Sequence, residues 1–450
     1  MRQERVFVGG ILAAALLLCI ASESQTQPSN QQPPFTSFER DRAVQMLENI
    51  AADVKKHYYD PKFHGIDWDA RVLEAKQRIQ KSTTQNAALS HIAGALDSLH
   101  DSHTFFLPPS RPYVHDYGVQ FQTIGDRCFI RRVRPGSDAE AKGIHAGDEV
   151  LAIDGYQPTR DNLWQMDYVL HTLRPELALQ LDLRDPKGAE RQTTASAKFR
   201  QLRLVKDLTA AGGGTDIWEL FRQDGDAEHL NRFRYQEFGD DLLIVKFPSF
   251  AFSQSEVEGM LDKARKHKAL IIDLRENGGG SVDTLKYLLS GLLESDTKIG
   301  DRVTRKETKP LIEKFHTHNP FTGKLLVLVD SGSASASEIC ARVVQLEKRG
   351  TVVGDRSSGK VMESLRYSYE AGMGVTVFYG ASITEADVIM ADGKSLENVG
   401  VVPDESMTPT GEDLASGRDP VLAKAAHELG VSITAEQAGT FFPYEWPTEE

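Results

Sequence analysis

The chain reads as an α/β protein, with a helical unit ahead of the sheet core and a small β-rich domain inserted between the two. Three observations lead there. Apolar runs at 242–247, 269–274, 324–329 and 351–353 are separated by amphipathic helical stretches, the pattern of parallel strands buried on both faces. Residues 39–100 carry apolar side chains at i, i+3, i+4 spacing, as amphipathic helices do. The stretch 117–198 instead breaks into short strand patterns punctuated by glycine-bearing turns.

The N-terminus comes first. Arg2 and Arg5 precede an apolar stretch at 6–20, and small residues near Ala21 offer a cleavage point, so 1–21 is expected to be a secretory signal peptide. The stretch is short for a membrane span, and an uncleaved anchor is the alternative. The expected destination is therefore secreted or periplasmic, with no membrane span after cleavage. Residues 22–38, rich in Gln, Ser and Pro, are expected to form a flexible linker.

The helical unit is placed at 39–110, with Ala43, Leu47, Ile50 and Val54 on one apolar face and Asp60-Pro61 breaking the first helix from the next. It closes on Asp101-Ser102-His103-Thr104. In the β-rich stretch at 111–200, Tyr117-Gly118-Val119-Gln120-Phe121 leads into strands and then into Ala146-Gly147-Asp148, ending at Asp154-Gly155. That run resembles a PDZ domain. The resemblance implies that Tyr117, Gly118, Val119, Gln120 and Phe121 form a carboxylate-binding loop, where a peptide C-terminus would add a strand to the sheet edge. Residues 201–240, with three consecutive glycines at 212–214, are expected to be a connecting segment, the core to span 241–410, and a C-terminal helical segment to follow at 411–450.

Composition excludes some functions. A formal charge of −13 disfavours nucleic acid and anionic membranes as partners. Cys128 and Cys340 fall in segments assigned to different domains, so no structural disulfide is expected even at an oxidising destination.

Chemistry concentrates in three loops at the ends of predicted parallel strands, where such sheets bind ligands. The first is Asp273-Leu274-Arg275-Glu276-Asn277-Gly278-Gly279-Gly280, whose glycines let the backbone approach a ligand closely. The second is Ser333-Ala334-Ser335-Ala336-Ser337-Glu338, at a strand-to-helix junction where a serine hydroxyl and unpaired helix N–H groups meet. The third is Gly354-Asp355-Arg356-Ser357-Ser358-Gly359-Lys360. It nearly matches a phosphate-binding loop, but Val361 stands where Ser or Thr should hold magnesium, and 364–369 alternates like a strand.

Together these motifs resemble the carboxyl-terminal processing (tail-specific) serine proteases, which carry an embedded PDZ domain. The likeness extends from the helical start to Leu396-Glu397-Asn398-Val399-Gly400. It implies a crotonase/ClpP-like protease core, Ser335 as nucleophile, Lys360 as base, and the N–H groups of Gly279 and Ala336 as oxyanion donors, with Gly280 adjacent. Desolvation of Lys360 would lower its pKa enough for it to accept the serine proton. The family's glutamine four residues beyond the lysine is Ser364 here. A related branch, similar to the tricorn peptidases, uses a histidine base helped by a serine and a glutamate, for which His103, Ser102 and Glu397 are the candidates. Lys360 is the expected base and His103 the alternative. The resemblance implies protein or peptide substrates with free C-termini, an oligomeric state left open, and no cofactor or metal. Two other readings compete: a non-catalytic PDZ and cleft binding protein, and a crotonase-type acyl-CoA enzyme, which an exported chain disfavours.

Overall fold

A computed structural model describes residues 35–111, 113–201, 231–314, 319–371 and 376–446. The expected signal peptide at 1–21, most of the expected linker at 22–38 and the glycines at 212–214 lie outside them.

The first helix, Ser37–His57, starts inside the stretch expected to be a linker. The reason is local: Thr36 and Glu39 form a capping box, which satisfies two N–H groups that the first turn leaves unpaired. Its buried face, including Leu47, Ile50 and Val54, packs with helices Trp68–Lys81 and Gln85–Asp97. That cluster closes against Ala371, Tyr379, Ala381 and Ile383 of a sheet that sequence reading did not anticipate.

The core holds two sheets. One has six strands in the order Glu405–Ser406, Thr351–Gly354, Lys324–Val329, Ala269–Asp273, Leu242–Lys246, Arg234–Phe238. Its neighbours are parallel except for Arg234–Phe238, an antiparallel edge strand lying within the expected connecting segment. Alternate residues face opposite layers. Leu243, Val245, Leu270 and Ile272 meet the helices Gln254–Ala264, Val282–Leu292 and Ala336–Leu346. Leu242, Ile244, Ala269 and Ile271 meet helix Pro420–Glu428 and the short helix behind it. The second sheet is antiparallel and built on the long strand Val377–Met390, which pairs with Phe105–Leu107, Thr297–Thr304 and Glu363–Ala371.

The inserted domain is a five-stranded antiparallel sheet in the order Val119–Ile124, Arg127–Val133, Glu149–Ile153, Ala178–Arg184, Glu190–Ser196. Val119–Ile124 is an edge strand, and helix Leu163–Tyr168 completes the domain. A two-stranded ladder, Tyr113–Asp116 with Lys198–Gln201, joins its entry and exit. Among the described residues no helix is long and apolar enough to cross a membrane. Cys128 and Cys340 are buried free thiols.

Candidate active site

The segment with the candidate nucleophile leaves strand Lys324–Val329 and enters helix Ala336–Leu346 through Ser335. Ser335 adopts φ 55°, ψ −118°, a conformation that costs a non-glycine residue about 1–3 kcal/mol and persists only where its surroundings hold it. They do: the Ser335 N–H donates to the Lys360 carbonyl at 2.7 Å and to Glu338 Oε2 at 3.1 Å. Ser333 and Ser337 are fully buried, and their hydroxyls donate to the backbone carbonyls of Leu274 and Asn277 at 2.8 and 2.9 Å. Both therefore tie this segment to the glycine loop, while Ser335 stays partly exposed.

That loop follows strand Ala269–Asp273. A Cβ added to Gly279 would fall 2.6 Å from the Ser335 Cβ and 3.0 Å from the Ala336 nitrogen, so the two turns touch and only glycine fits. Ala336 opens its helix, and a first-turn N–H has no intrahelical acceptor. The expected second donor is engaged: the Gly279 N–H donates to Asn277 Oδ1 at 2.8 Å. An oxyanion there must displace the Asn277 side chain, which also donates to the Phe247 carbonyl at 2.7 Å.

Glu338 went unassigned in the sequence. Fully buried, its carboxylate accepts hydrogen bonds from Ser357 Oγ (2.6 Å), Gly359 N–H (2.7 Å), Lys360 N–H (2.8 Å) and Ser335 N–H. Burial raises its pKa and those donors oppose the rise. One carboxylate thus welds the Lys360 loop to the serine. The phosphate-loop lookalike Gly354–Lys360 runs straight into strand Glu363–Ala371, with no helix after it.

The two candidate bases differ in what surrounds them. The Lys360 amine lies 4.8 Å from the centre of the Trp164 ring, a cation–π contact with the inserted domain. Burial pulls its pKa down to about 8, against the pull of Glu338, Glu397 and Asp167. His103 Nδ1 sits 2.7 Å from Ser102 Oγ, which donates to Glu397 Oε2 at 2.9 Å; the Ser102 N–H donates to Glu397 Oε1 at 2.7 Å. With Ser102 donating to the carboxylate, the network assigns the proton on Nδ1 to the histidine and leaves Nε2 as the acceptor. Asp101 Oδ1 accepts from the His103 and Thr104 N–H groups and from Thr384 Oγ1, which fixes the turn. Burial lowers His103 to about 4; Asp101 opposes this and Lys360 adds to it. Glu397 is raised to about 7 by burial, against hydrogen bonds from Val361 and Ser102. Because Val361 also donates to Glu397 Oε2, at 3.0 Å, the histidine turn and the Lys360 loop share one carboxylate.

The inserted domain docks on all three loops. Arg132 forms two 2.7 Å hydrogen bonds with Glu276, Gln122 donates to Asp330 Oδ2 at 2.6 Å, and Arg160 pairs with Asp355 at 2.6 Å. Within the expected carboxylate loop, Tyr117 is a buried core residue with its hydroxyl spent on the Glu176 backbone, so its side chain does not line a groove. The Gly118 N–H donates to Asp116 Oδ1 at 2.8 Å, and Gln120 is bonded to Tyr444 and Arg132. Val119 and Phe121 remain on the edge strand. Among the described residues no group of three or more His, Cys, Asp or Glu side chains is placed to hold a metal ion.

A family model described as peptidase family S41 matches residues 241–407, and a PDZ domain model matches 111–180. The core segment 241–407 is thus that of peptidase family S41. Curated relatives of the chain are named tail-specific protease and carboxyl-terminal-processing protease. A model of the tricorn protease C1 domain matches residues 40–87. The tail-specific protease of Haemophilus influenzae is 27% identical over 277 residues, covering 58% of this chain and 36% of that one. The carboxyl-terminal-processing protease of Picosynechococcus sp. is 26% identical over 417 residues, covering 86% and 88%. Among solved structures, mature CPAF shares the fold, with a TM-score of 0.61 at 15% identity over 84% of this chain and 94% of that one.

Proposed function

We propose that this chain is an exported endopeptidase that cleaves unstructured protein tails, with Ser335 as nucleophile and His103, rather than Lys360, as its base. The hydrogen-bonded series His103–Ser102–Glu397 carries this reading. It orients the ring and stabilises the imidazolium, the two tasks that a base partner performs in a serine hydrolase. Ser335 Oγ attacks the peptide carbonyl and its proton passes to His103 Nε2. The oxyanion forms against the Ala336 N–H, with the Gly279 N–H joining once Asn277 yields. His103 then protonates the leaving amine, and water, activated in the same way, releases the acyl group. A histidine held neutral needs no deprotonation before it acts, whereas a lysine base must first lose a proton. The edge strand with Val119 and Phe121 supports strand addition by an extended substrate. The basic and apolar start at 1–21 supports export.

The test is hydrolysis of an unfolded reporter by the wild type, Ser335→Ala, His103→Ala and Lys360→Ala, with fragment masses identifying the cut bonds. Loss of cleavage in the serine and histidine variants, with Lys360→Ala still active, is the expected pattern. Cleavage by Ser335→Ala would overturn the nucleophile, and loss only in Lys360→Ala would overturn the base.

A further inference from the structure

Behind the glycine loop, where the PDZ sheet, the core and the C-terminal segment meet, lies a cavity of about 330 Å³. Its volume falls at the lower end of the range for ligand sites. Six cationic side chains line it against four carboxylates, a local positive excess in a chain whose net charge is −13. Most of these charges are matched. Arg275 forms paired hydrogen bonds with both Asp273 and Asp419, and Arg418 is held by Asp413. Two are under-matched. Arg131 reaches Glu276 only at 3.4 Å, behind Arg132 on the same carboxylate, and its buried Nε has no hydrogen-bond partner among the described residues. Arg234 donates to the Pro443 carbonyl at 2.6 Å and has no ion pair among the described residues; burial and the neighbouring Arg232 lower its pKa, against the pull of Glu445.

The remaining walls are apolar: Leu414, Pro409, Phe442 and Tyr444. The chain itself shows what suits this seam. Its segment Phe442–Trp446 lies along it with the Glu445 carboxylate on Arg232 at 2.9 Å and the Tyr444 ring 4.2 Å from the Arg132 guanidinium. The loop otherwise expected to take a carboxylate already has its Gly118 N–H on Asp116.

We propose that this cavity is a second docking site, which takes the free α-carboxylate of an apolar peptide tail between Arg131 and Arg234. The proposal rests on the peptidase reading and adds where the end of the tail is held. A carboxylate there supplies a partner for Arg131 Nε and a counter-charge for Arg234, and the prolyl and aromatic walls cover the terminal side chain. It also competes with Glu276 for Arg131, and so touches the contact that docks the PDZ domain on the glycine loop.

Fluorescence anisotropy on the uncleaving Ser335→Ala chain tests this, using one short apolar peptide as its free acid and as its C-terminal amide. Loss of one charged hydrogen-bonding pair, about 1.5–3 kcal/mol, predicts that the acid binds at least about tenfold more tightly. Arg234→Gln and Arg131→Gln should each erase that preference; thermal melts report whether they fold, and either folded variant carries the test alone. Equal binding of acid and amide, or a preference that survives in a folded variant, overturns the site. Reporter cleavage by the wild type is read in parallel. Cleavage without acid preference removes this site alone, while acid preference without cleavage removes the peptidase reading alone.

Discussion

Ser102 and Glu397, 295 residues apart in the chain, meet through two hydrogen bonds, from the Ser102 N–H at 2.7 Å and from its Oγ at 2.9 Å. Through them a residue of the helical unit and a residue of the core define one ring orientation for His103. If that series supplies the base, His103→Ala lowers kcat/KM by about 10²–10⁴-fold, and Ser102→Ala and Glu397→Gln each lower it by a smaller factor. Lys360→Met changes it by less than about tenfold. Steady-state kinetics on a peptide reporter measure all four. A Lys360→Met loss as large as that of His103→Ala would return the base role to the lysine.

The pH profile separates the same alternatives. A base works deprotonated, so activity is present above its folded pKa and is lost as pH falls through it. A Lys360 base, at about 8, predicts that kcat/KM halves near pH 8. The histidine series predicts full activity there, with loss only as Glu397, at about 7, and then His103, at about 4, take up protons. The acidic limb should persist in Lys360→Met, moved to higher pH because the Lys360 charge no longer helps hold His103 neutral. Disappearance of the limb in that variant counts against the histidine.

Gly279→Ala should inactivate the chain without unfolding it. The added methyl meets the Ser335 Cβ at 2.6 Å, and φ +97° strains any side chain at that position. A kcat/KM fall of at least about 10²-fold is expected in a chain that still folds, its melting point lowered by backbone strain of about 1–3 kcal/mol, because the defect sits in the proposed oxyanion turn. Retained activity would show that the turn has room the geometry denies.

Glu338→Ala removes an acceptor buried among four donors. Unpaired buried N–H and O–H groups cost about 1–3 kcal/mol each, so a stability loss of about 3 kcal/mol or more is expected, with the Lys360 loop coming free of Ser335. Chemical denaturation measures the first and reporter cleavage the second. A variant as stable as the wild type would remove Glu338 from this role.

Asp273 makes a stability prediction with a definite sign. Burial alone would raise its pKa, but Arg275 and Lys246 bring it down to about 2. A depressed carboxyl contributes stability above its unfolded value, near 3.8, and loses that contribution as pH falls through about 2. The contribution is roughly 2–3 kcal/mol. Asp273→Asn leaves Arg275 and Lys246 short of a counter-charge and should cost about 3–5 kcal/mol at neutral pH, with a flatter acid-denaturation curve. An unchanged curve would refute the assignment.

Much of this was legible in the chain itself. The apolar runs of the parallel sheet are continuous because both faces are covered, and Ser335 stands out because small residues and hydroxyls crowd a strand-to-helix junction. The antiparallel second sheet was not legible. Its long strand Val377–Met390 is buried at successive positions 379–384 and shows no alternation there, so period-two reading fails. The helix at Ser37 was hidden by a polar stretch whose signal is the Thr36–Glu39 cap rather than hydrophobicity.

The site divides along the same line. Local sequence determined which serine, which glycines and which lysine stand at the ends of parallel strands, because the turn chemistry and burial pattern that place them act over a few residues. Only the tertiary structure decided which base candidate is oriented and what holds the loops together. Those contacts join Ser102 to Glu397, and Glu338 to the Lys360 loop, across distances in sequence that no local pattern encodes. Hydrogen bonding and desolvation depend on neighbours in space, and the fold alone supplies those neighbours.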